Sequence, residues 1–464
     1  MQLKGRHVLV LGLGESGLAM ARWLAYAGAI VRVADSRAAP PGAEQLMAHV
    51  PQAEMHFGDF DLPLLSGIDL VAISPGLSQR ESLVVEAKRR GIPLTGEIEL
   101  FSQGLRDAGQ RDKCRIIAIT GTNGKTTVTT LCGALARAAG KATEVAGNIS
   151  PAALDRLLDC IERNTFPEVW VLELSSFQLE TTESLDADAA TVLNVSDDHL
   201  DRYDGLDDYA AAKARVFAGR GVQVLNRQDG RVLEMARAGR RIVTFGLDQP
   251  VGAASMGLTR IEGESWLMDG ETRLVAMASL KIAGLHNAAN ALASLALCES
   301  IGLSRAPMLA ALREFGGLPH RVEKIADWRG IAFFDDSKGT NVGATVAALE
   351  GLQRRVVLIA GGDGKGQDFS PLGPVFATHA RAVVLIGRDA HRIADAISGS
   401  GVQLEFAADM DDAVGRAISL ARQGDAVLLS PACASFDMFR GYAHRAEVFV
   451  NAVRTRIERL GRAA

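Results

Sequence analysis

The chain has 464 residues, is 48% hydrophobic and 23% charged, and carries a formal net charge of -5. That is a globular composition of two or three domains without the basic excess of a nucleic-acid binder, and no apolar run approaches the ~18 residues of a membrane span. The N-terminus leads directly into a strand without a signal-peptide layout, and five scattered cysteines lack metal or disulfide spacing, so a soluble, cytoplasmic protein is expected. A monomer with small-molecule substrates is the further expectation.

The first predicted strand, His7 to Leu11, runs into Gly12-Leu13-Gly14-Glu15-Ser16-Gly17 and an amphipathic helix to about Ala27. A second strand, Ile30 to Ala34, ends at Asp35, with Ser36 and Arg37 next. Glycine turn and acid together match the dinucleotide fingerprint, which by itself favours a nicotinamide dehydrogenase. A third strand, Leu70 to Ile73, ends in Ser74-Pro75-Gly76, and strand-ending loops are where open parallel sheets bind ligands. Residues from Phe101 to Lys113 turn polar and read as a linker.

A new sheet then opens with Ile116 to Ile119, followed by Thr120-Gly121-Thr122-Asn123-Gly124-Lys125-Thr126-Thr127 and a helix. Glycines that permit unusual dihedrals, backbone N–H groups at a helix start, a lysine and a hydroxyl form a phosphate loop for a magnesium-bound polyphosphate. Ile119 stands where the commonest pattern has its first glycine. The next strand, Val169 to Leu174, carries Glu173 near its tip, well placed to hold magnesium, and runs into Ser175-Ser176-Phe177-Gln178. A further strand, Ala190 to Val195, ends in Ser196-Asp197-Asp198-His199-Leu200-Asp201, read as a metal or substrate site. Lys213, in the helix that follows, has the local pattern of a surface lysine. Strand-rich residues from Val222 to Leu280 carry no motif, and Asn287 and Asn290 share one face at the start of an alanine-rich helix.

Gly316-Gly317-Leu318-Pro319-His320-Arg321 reads as a second linker. Beyond it, four hydrophobic strands alternate with helices, which indicates a parallel sheet covered on both faces. Their end loops carry Asp336-Ser337-Lys338-Gly339-Thr340-Asn341, Gly361-Gly362-Asp363-Gly364-Lys365, Gly387-Arg388 and Ser430-Pro431-Ala432-Cys433-Ala434-Ser435-Phe436. Cationic and hydroxyl groups there suit an anionic ligand.

The expected fold class is α/β: three domains, each on a mostly parallel sheet, with a Rossmann-like domain over 1–109, a phosphate-loop domain over 110–317 and a Rossmann-like domain over 318–464. An ATP-dependent ligase joins the three with one chemistry, because a carboxylate must be phosphorylated before an amine can displace phosphate from it. Across nearly the whole chain the motifs Gly121–Thr127, Leu172–Thr182, Asn194–Tyr203, Asp336–Asn341 and Leu429–Ser435 resemble those of the Mur ligases, amide-forming enzymes of peptidoglycan precursor synthesis.

The resemblance implies addition of D-glutamate to a UDP-linked N-acetylmuramoyl-L-alanine, with ATP and two Mg²⁺ ions. It assigns Ser16, Asp35, Ser36, Arg37 and Gly76 to the UDP-substrate, and Asn148, Ser175, Gln178 and His199 to its muramoyl region. ATP is implied to meet Gly121, Thr122, Asn123, Gly124, Lys125, Thr126, Thr127, Asn287, Asn290, Arg321 and Asp336. Glutamate is implied to meet Thr340, Lys365, Ser435, Phe436 and Tyr442. Thr126, Glu173, His199 and Lys213 become metal ligands, with Lys213 carboxylated, and Lys125, His199 and Lys213 become the catalytic residues. Glu15, an acid in the first glycine turn, is expected to point away from the UDP. A folylpolyglutamate-type ligase, a nicotinamide oxidoreductase and a non-catalytic nucleotide binder are the alternatives.

Overall fold

The computed structural model describes residues 3–199 and 202–462, so Leu200 and Asp201 of the acid-rich segment lie outside the described residues. Three sheets follow one another along the chain. The first contains β1 (His7–Leu11), β2 (Ile30–Asp35), β3 (Glu54–Phe57), β4 (Leu70–Ile73) and β5 (Leu94–Thr95), in the order β3-β2-β1-β4-β5 and all parallel. Strand order reverses between β1 and β4, which opens a crevice at their carboxyl ends. The two loops meet there: a Cβ on Gly12, whose φ is 85°, would stand 2.9 Å from the Ser74 Cβ.

The central sheet comprises β6 (Arg115–Thr120), β7 (Thr143–Gly147), β8 (Val169–Glu173), β9 (Ala189–Val192), β10 (Val222–Asn226), β11 (Ile242–Phe245), β12 (Ser255–Ile261), β13 (Glu264–Asp269) and β14 (Thr272–Ala276). Its order is β14-β13-β12-β11-β10-β9-β6-β8-β7, parallel from β7 to β12, with antiparallel pairing only of β12 with β13 and of β13 with β14 at one edge. The motif-free stretch after Val222 therefore extends this sheet. Here the reversal lies between β6 and β8, so the phosphate loop and the Glu173 tip emerge side by side.

The last sheet holds β15 (Glu323–Trp328), β16 (Ile331–Asp335), β17 (Val356–Gly361), β18 (Ala380–Ile386), β19 (Gln403–Phe406) and β20 (Ala426–Leu429), ordered β15-β16-β20-β17-β18-β19. Only β15 pairs antiparallel. Separate apolar clusters cover its two faces, which is why its strands read as unbroken hydrophobic runs.

The stretch expected as the first linker is different. Residues Glu97–Asp107 form a helix with Phe101 and Ser102 buried. Its apolar face joins Val8, Val10 and Trp23 of the first unit to Ile116, Leu154, Leu157 and Trp170 of the second in one continuous core. Phe101 meets Trp170 edge-on at 5.0 Å, and Gly104 leaves room for Trp23, whose ring carbon would otherwise lie 2.3 Å from a Cβ. Sequence polarity misled because polar side chains of the stretch find partners in the central unit: the buried Ser102 hydroxyl and the Arg106 guanidinium donate to the Ser184 carbonyl at 2.8 and 2.6 Å. The second linker is irregular between the helix Arg305–Glu314 and β15, as expected. Among the described residues no helix is long and apolar enough to cross a membrane.

Candidate active site

Between β6 and the helix Lys125–Ala138 the backbone makes the turn that the glycines foretell. Gly121 has φ 153° and Gly124 φ 83°, and a Cβ on either would crowd Leu193 or the Asn290 Oδ1 at 2.9 and 2.7 Å. Asn194, at the end of β9, pins this loop. Its carbonyl accepts from the Thr122 N–H at 2.9 Å, its Oδ1 accepts from the Asn123 N–H at 2.8 Å, and its Nδ2 donates to the Asn123 carbonyl at 3.1 Å. Lys125 folds back to donate to the carbonyls of Gly121 and Thr122, at 2.8 and 2.9 Å. Burial lowers its pKa, opposed by the charges of Glu173 and Asp198.

A cavity of about 360 Å³ opens over this loop, lined by Lys125, Thr126, Asn148, Ser150, Glu173 and Asp198 from the central unit and Arg321, Lys338, Thr340, Asn341 and Tyr442 beyond it. Glu173 is only 2% exposed; its Oε1 accepts from the Asn148 Nδ2 at 2.8 Å, while its Oε2 is buried with no hydrogen-bond partner among the described residues. An orphaned carboxylate oxygen near a threonine hydroxyl is a hard-oxygen donor set, so the residues fit a divalent cation such as Mg²⁺. The Thr126 hydroxyl accepts from Arg321 at 2.7 Å, so the linker arginine reaches the phosphate loop across 195 residues.

A second cavity of about 160 Å³ adjoins the loop, with Asn287, Asn290 and Thr127 on one wall and Arg321, Asp336, Ala344 and Ala348 on the other. The Asn290 Nδ2 donates to the Asn287 Oδ1 at 3.2 Å, confirming their common face. Burial pushes the Asp336 carboxyl up to about 7, against the Ser430 hydroxyl at 2.7 Å and the charge of Arg321.

Lys213 overturns its local pattern: it is 1% exposed. Its Nζ donates to the Gly121 carbonyl at 2.9 Å and lies 4.3 Å over the Tyr209 ring. Burial pushes its pKa well down, the Lys125 charge adds to this, and Asp198 opposes it. The His199 ring stands 6.3 Å from the same Tyr209 ring and meets Phe177 edge-on at 4.8 Å. Tyr209 thus links two of the expected metal ligands.

At the first sheet Ser16 follows the carboxyl end of β1, Asp35 ends β2 with Ser36 and Arg37 next, and Gly76 follows β4. Asp35 is fully engaged: it accepts from the Leu13 N–H at 2.6 Å and from Arg37 at 2.8 and 2.7 Å, and the Arg37 side chain holds its pKa down at about 2. An acid so occupied presents no free oxygen to a ribose hydroxyl, which weighs against the dehydrogenase reading. Glu15 reaches the central unit, accepting from the Ser150 hydroxyl at 2.7 Å. Ser175 and Gln178 bond each other as a capping box on the short helix Ser176–Leu179, so both serve local structure here.

The glutamate set divides. Thr340 and Tyr442 line the larger cavity, while Lys365, Ser435 and Phe436 lie outside its lining. Lys365 is exposed at φ 49°, and its loop is bridged to that of Ser435 through Asp363 and Ala434. The sequence reading missed Lys338, which lines both cavities with its Nζ 4.1 Å over the Tyr442 ring, and the loop-pinning Asn194. Each lies at the carboxyl end of a strand, inside a motif already singled out (Asp336–Asn341 and Asn194–Tyr203), which was the available signal.

Comparison with known proteins agrees with this geometry. Residues 6–96 match the family model "Mur ligase MurD-like, N-terminal domain", residues 119–298 the Mur ligase middle domain, and residues 320–433 the Mur ligase glutamate ligase domain. A protein of Aromatoleum aromaticum named UDP-N-acetylmuramoylalanine--D-glutamate ligase is 61% identical over 455 residues, covering 97% of this chain and 98% of that relative. A Nitrosospira multiformis protein of the same name is 57% identical over 457 residues, covering 98% and 96%. The crystal structure of MurF from Acinetobacter baumannii shares the fold, with a TM-score of 0.60 at 19% identity over 84% of this chain and 86% of that one. With its three units matched in order and near full-length relatives above half identity, the chain belongs to the Mur ligase family.

Proposed function

We propose that the chain is an ATP-dependent ligase that adds D-glutamate to UDP-N-acetylmuramoyl-L-alanine, a step of peptidoglycan precursor synthesis. The observation that carries this reading is the cavity where Lys125 and Thr126 of the phosphate loop and Glu173 at the tip of β8 face Arg321, Lys338 and Thr340. The names of the relatives support the substrate pair. A nicotinamide oxidoreductase leaves this cavity unexplained, and a folylpolyglutamate-type ligase has no use for the crevice of the first sheet.

The three units divide the work as 1–109 for the UDP-substrate, 110–317 for ATP and 318–464 for glutamate. A carboxylate oxygen of the muramoyl-alanine attacks the γ-phosphorus, and ADP leaves; the glutamate amine then attacks the acyl carbon, loses a proton and expels phosphate. Lys125 neutralises charge spreading over the transferring phosphoryl group, and Arg321 and Lys338 add positive charge from the opposite wall. Asn287, Asn290 and Asp336 hold the nucleoside end of ATP. Ser16, Ser36, Arg37 and Gly76 hold the UDP, with Asp35 orienting Arg37. Thr340, Lys365, Ser435, Phe436 and Tyr442 receive the glutamate once the last unit has closed on its substrates.

Thr126 and Glu173 would hold one Mg²⁺, and His199 with Lys213 a second. Bound magnesium supplies charge neutralisation to the phosphate oxygens. Lys213 is suited to carboxylation by CO₂, because burial and the neighbouring Lys125 favour the neutral amine whose lone pair reacts. The carbamate is an anionic oxygen donor, in place of an ammonium that repels a cation. The enzyme acts as a cytoplasmic monomer. ADP release tests the reading: it is expected only with both UDP-N-acetylmuramoyl-L-alanine and D-glutamate present, and equal release with L-glutamate, lysine or D-alanine would overturn it.

A further inference from the structure

The helix Val342–Gly351 begins directly after Thr340, and its N-cap is Asn341. Asn341 is 5% exposed, and its Oδ1 caps the helix by accepting from the Ala344 N–H at 2.8 Å. The same side chain crosses to the central unit. Its Nδ2 donates to the Asn123 Oδ1 of the phosphate loop at 3.1 Å and to the Asp198 Oδ2 at 3.4 Å, and the Asn123 Nδ2 donates back at 3.3 Å. Two residues on, Gly343 is helical yet has no space for a side chain. A Cβ there would stand 2.9 Å from the Ser196 Oγ and 3.3 Å from the Asn123 Nδ2. The Ser196 Oγ is itself buried with no partner among the described residues. On its other side the same turn binds the Lys365 loop, where the Gln367 Oε1 accepts from the Val342 N–H at 3.1 Å.

We infer that the turn Asn341–Ala344 is the docking key that registers the glutamate-binding unit on the phosphate loop, with Asn341 and Gly343 as positioning residues for the ligation. The inference rests on the ligase reading above. A glycine in a helix costs stability relative to alanine, so its presence at a point of close approach marks a surface shaped for contact. One amide serves both as a cap and as a cross-link, so the strand-end loop carrying Thr340 holds a fixed register with the phosphate loop whenever the units are closed. The Gln367 bond carries that register to Lys365. Groups that bind the amine donor and groups that bind the phosphoryl donor thereby come into alignment together.

Two substitutions separate docking from folding. Asn341→Asp keeps a strong cap while removing the cross-domain donor and setting a carboxylate against Asp198. Gly343→Ala improves helix propensity and blocks the approach to Ser196. Each is expected to lower kcat at least about tenfold, the scale on which misplacement of reacting groups acts. Binding of the UDP-substrate should stay unchanged, and distances between labels on the central and last units, measured with ATP and UDP-substrate, should lengthen. Ser196→Ala, which removes the clashing hydroxyl, should restore part of the Gly343→Ala loss and none of the Asn341→Asp loss. Wild-type turnover by both variants, or lost turnover with wild-type distances, would overturn the inference. Misfolding of either variant on its own, seen by circular dichroism, would also count against it, because the turn would then serve folding. A wild-type enzyme that fails to ligate would instead remove the ligase reading.

Discussion

At the residue scale, Lys125 and Lys213 share one acceptor, the Gly121 carbonyl, yet their assigned roles require opposite charge states. Lys125 must stay an ammonium to meet the triphosphate. Lys125→Ala is expected to abolish ADP release while leaving UDP-substrate binding intact by calorimetry, since that crevice belongs to the first sheet. Lys213 must be neutral to take up CO₂. Lys213→Ala is expected to lose most activity, with acetate or bicarbonate restoring part of it by filling the vacated space. Full activity of Lys213→Ala, or a mass spectrum of the native enzyme without the added carboxyl group, would remove the carbamate. The spacing around Lys213 offers only Tyr209, four residues earlier on its helix; its hydrogen-bond acceptor comes from the phosphate loop 92 residues earlier and its nearest acid from the Asp198 segment.

At the scale of elements, the helix Ala153–Glu162 shows how one part of the chain finishes another. Its N-cap, Ala152, offers no side-chain oxygen, and Glu97 of the helix Glu97–Asp107 supplies one, accepting from the Leu154 N–H at 2.8 Å. Burial, with Asp155 nearby, pushes the Glu97 carboxyl up to about 7 from its ordinary 4.5, against those backbone donors. An acid with a raised folded-state pKa binds its proton more tightly when folded. It therefore contributes stability that is full below about 4.5 and lost as pH rises through about 7, on the order of 3 kcal/mol. Glu97→Gln is expected to flatten the fall in melting temperature between pH 5 and pH 8; an unchanged difference from wild type at the two pH values would refute the raised pKa. The phosphate loop was legible in the sequence because strand, glycines, lysine and helix are contiguous. The Glu97–Asp107 helix was not, since its polar residues find their partners in a different unit. The glutamate set was legible only as loops after separate strands, with Lys365 still exposed at one side of them.

At the scale of the whole molecule, the three units differ in how far their apolar cores are shared. The first and central units share one apolar core through Phe101, Trp170 and Trp23, whereas the last unit buries both faces of its own sheet. Residues 1–317 alone are expected to fold and bind the UDP-substrate, and residues 1–109 alone to aggregate or stay unfolded, as read by circular dichroism. A stable, cooperative 1–109 fragment would refute the shared core. Rotation upon ligand binding should accordingly be confined to the last unit, about residues 316–319, with label distances between the first two units unchanged. The same asymmetry governs which parts can be exchanged between relatives. A last unit grafted from another amino-acid ligase needs compatibility at its linker, at the polar turn that faces the phosphate loop, and where Gly351 and the last core meet His286 and Ala283. A grafted first unit must also match the packing of the helix beneath it, so variation in the amino acid added is structurally cheaper to evolve than variation in the nucleotide carrier.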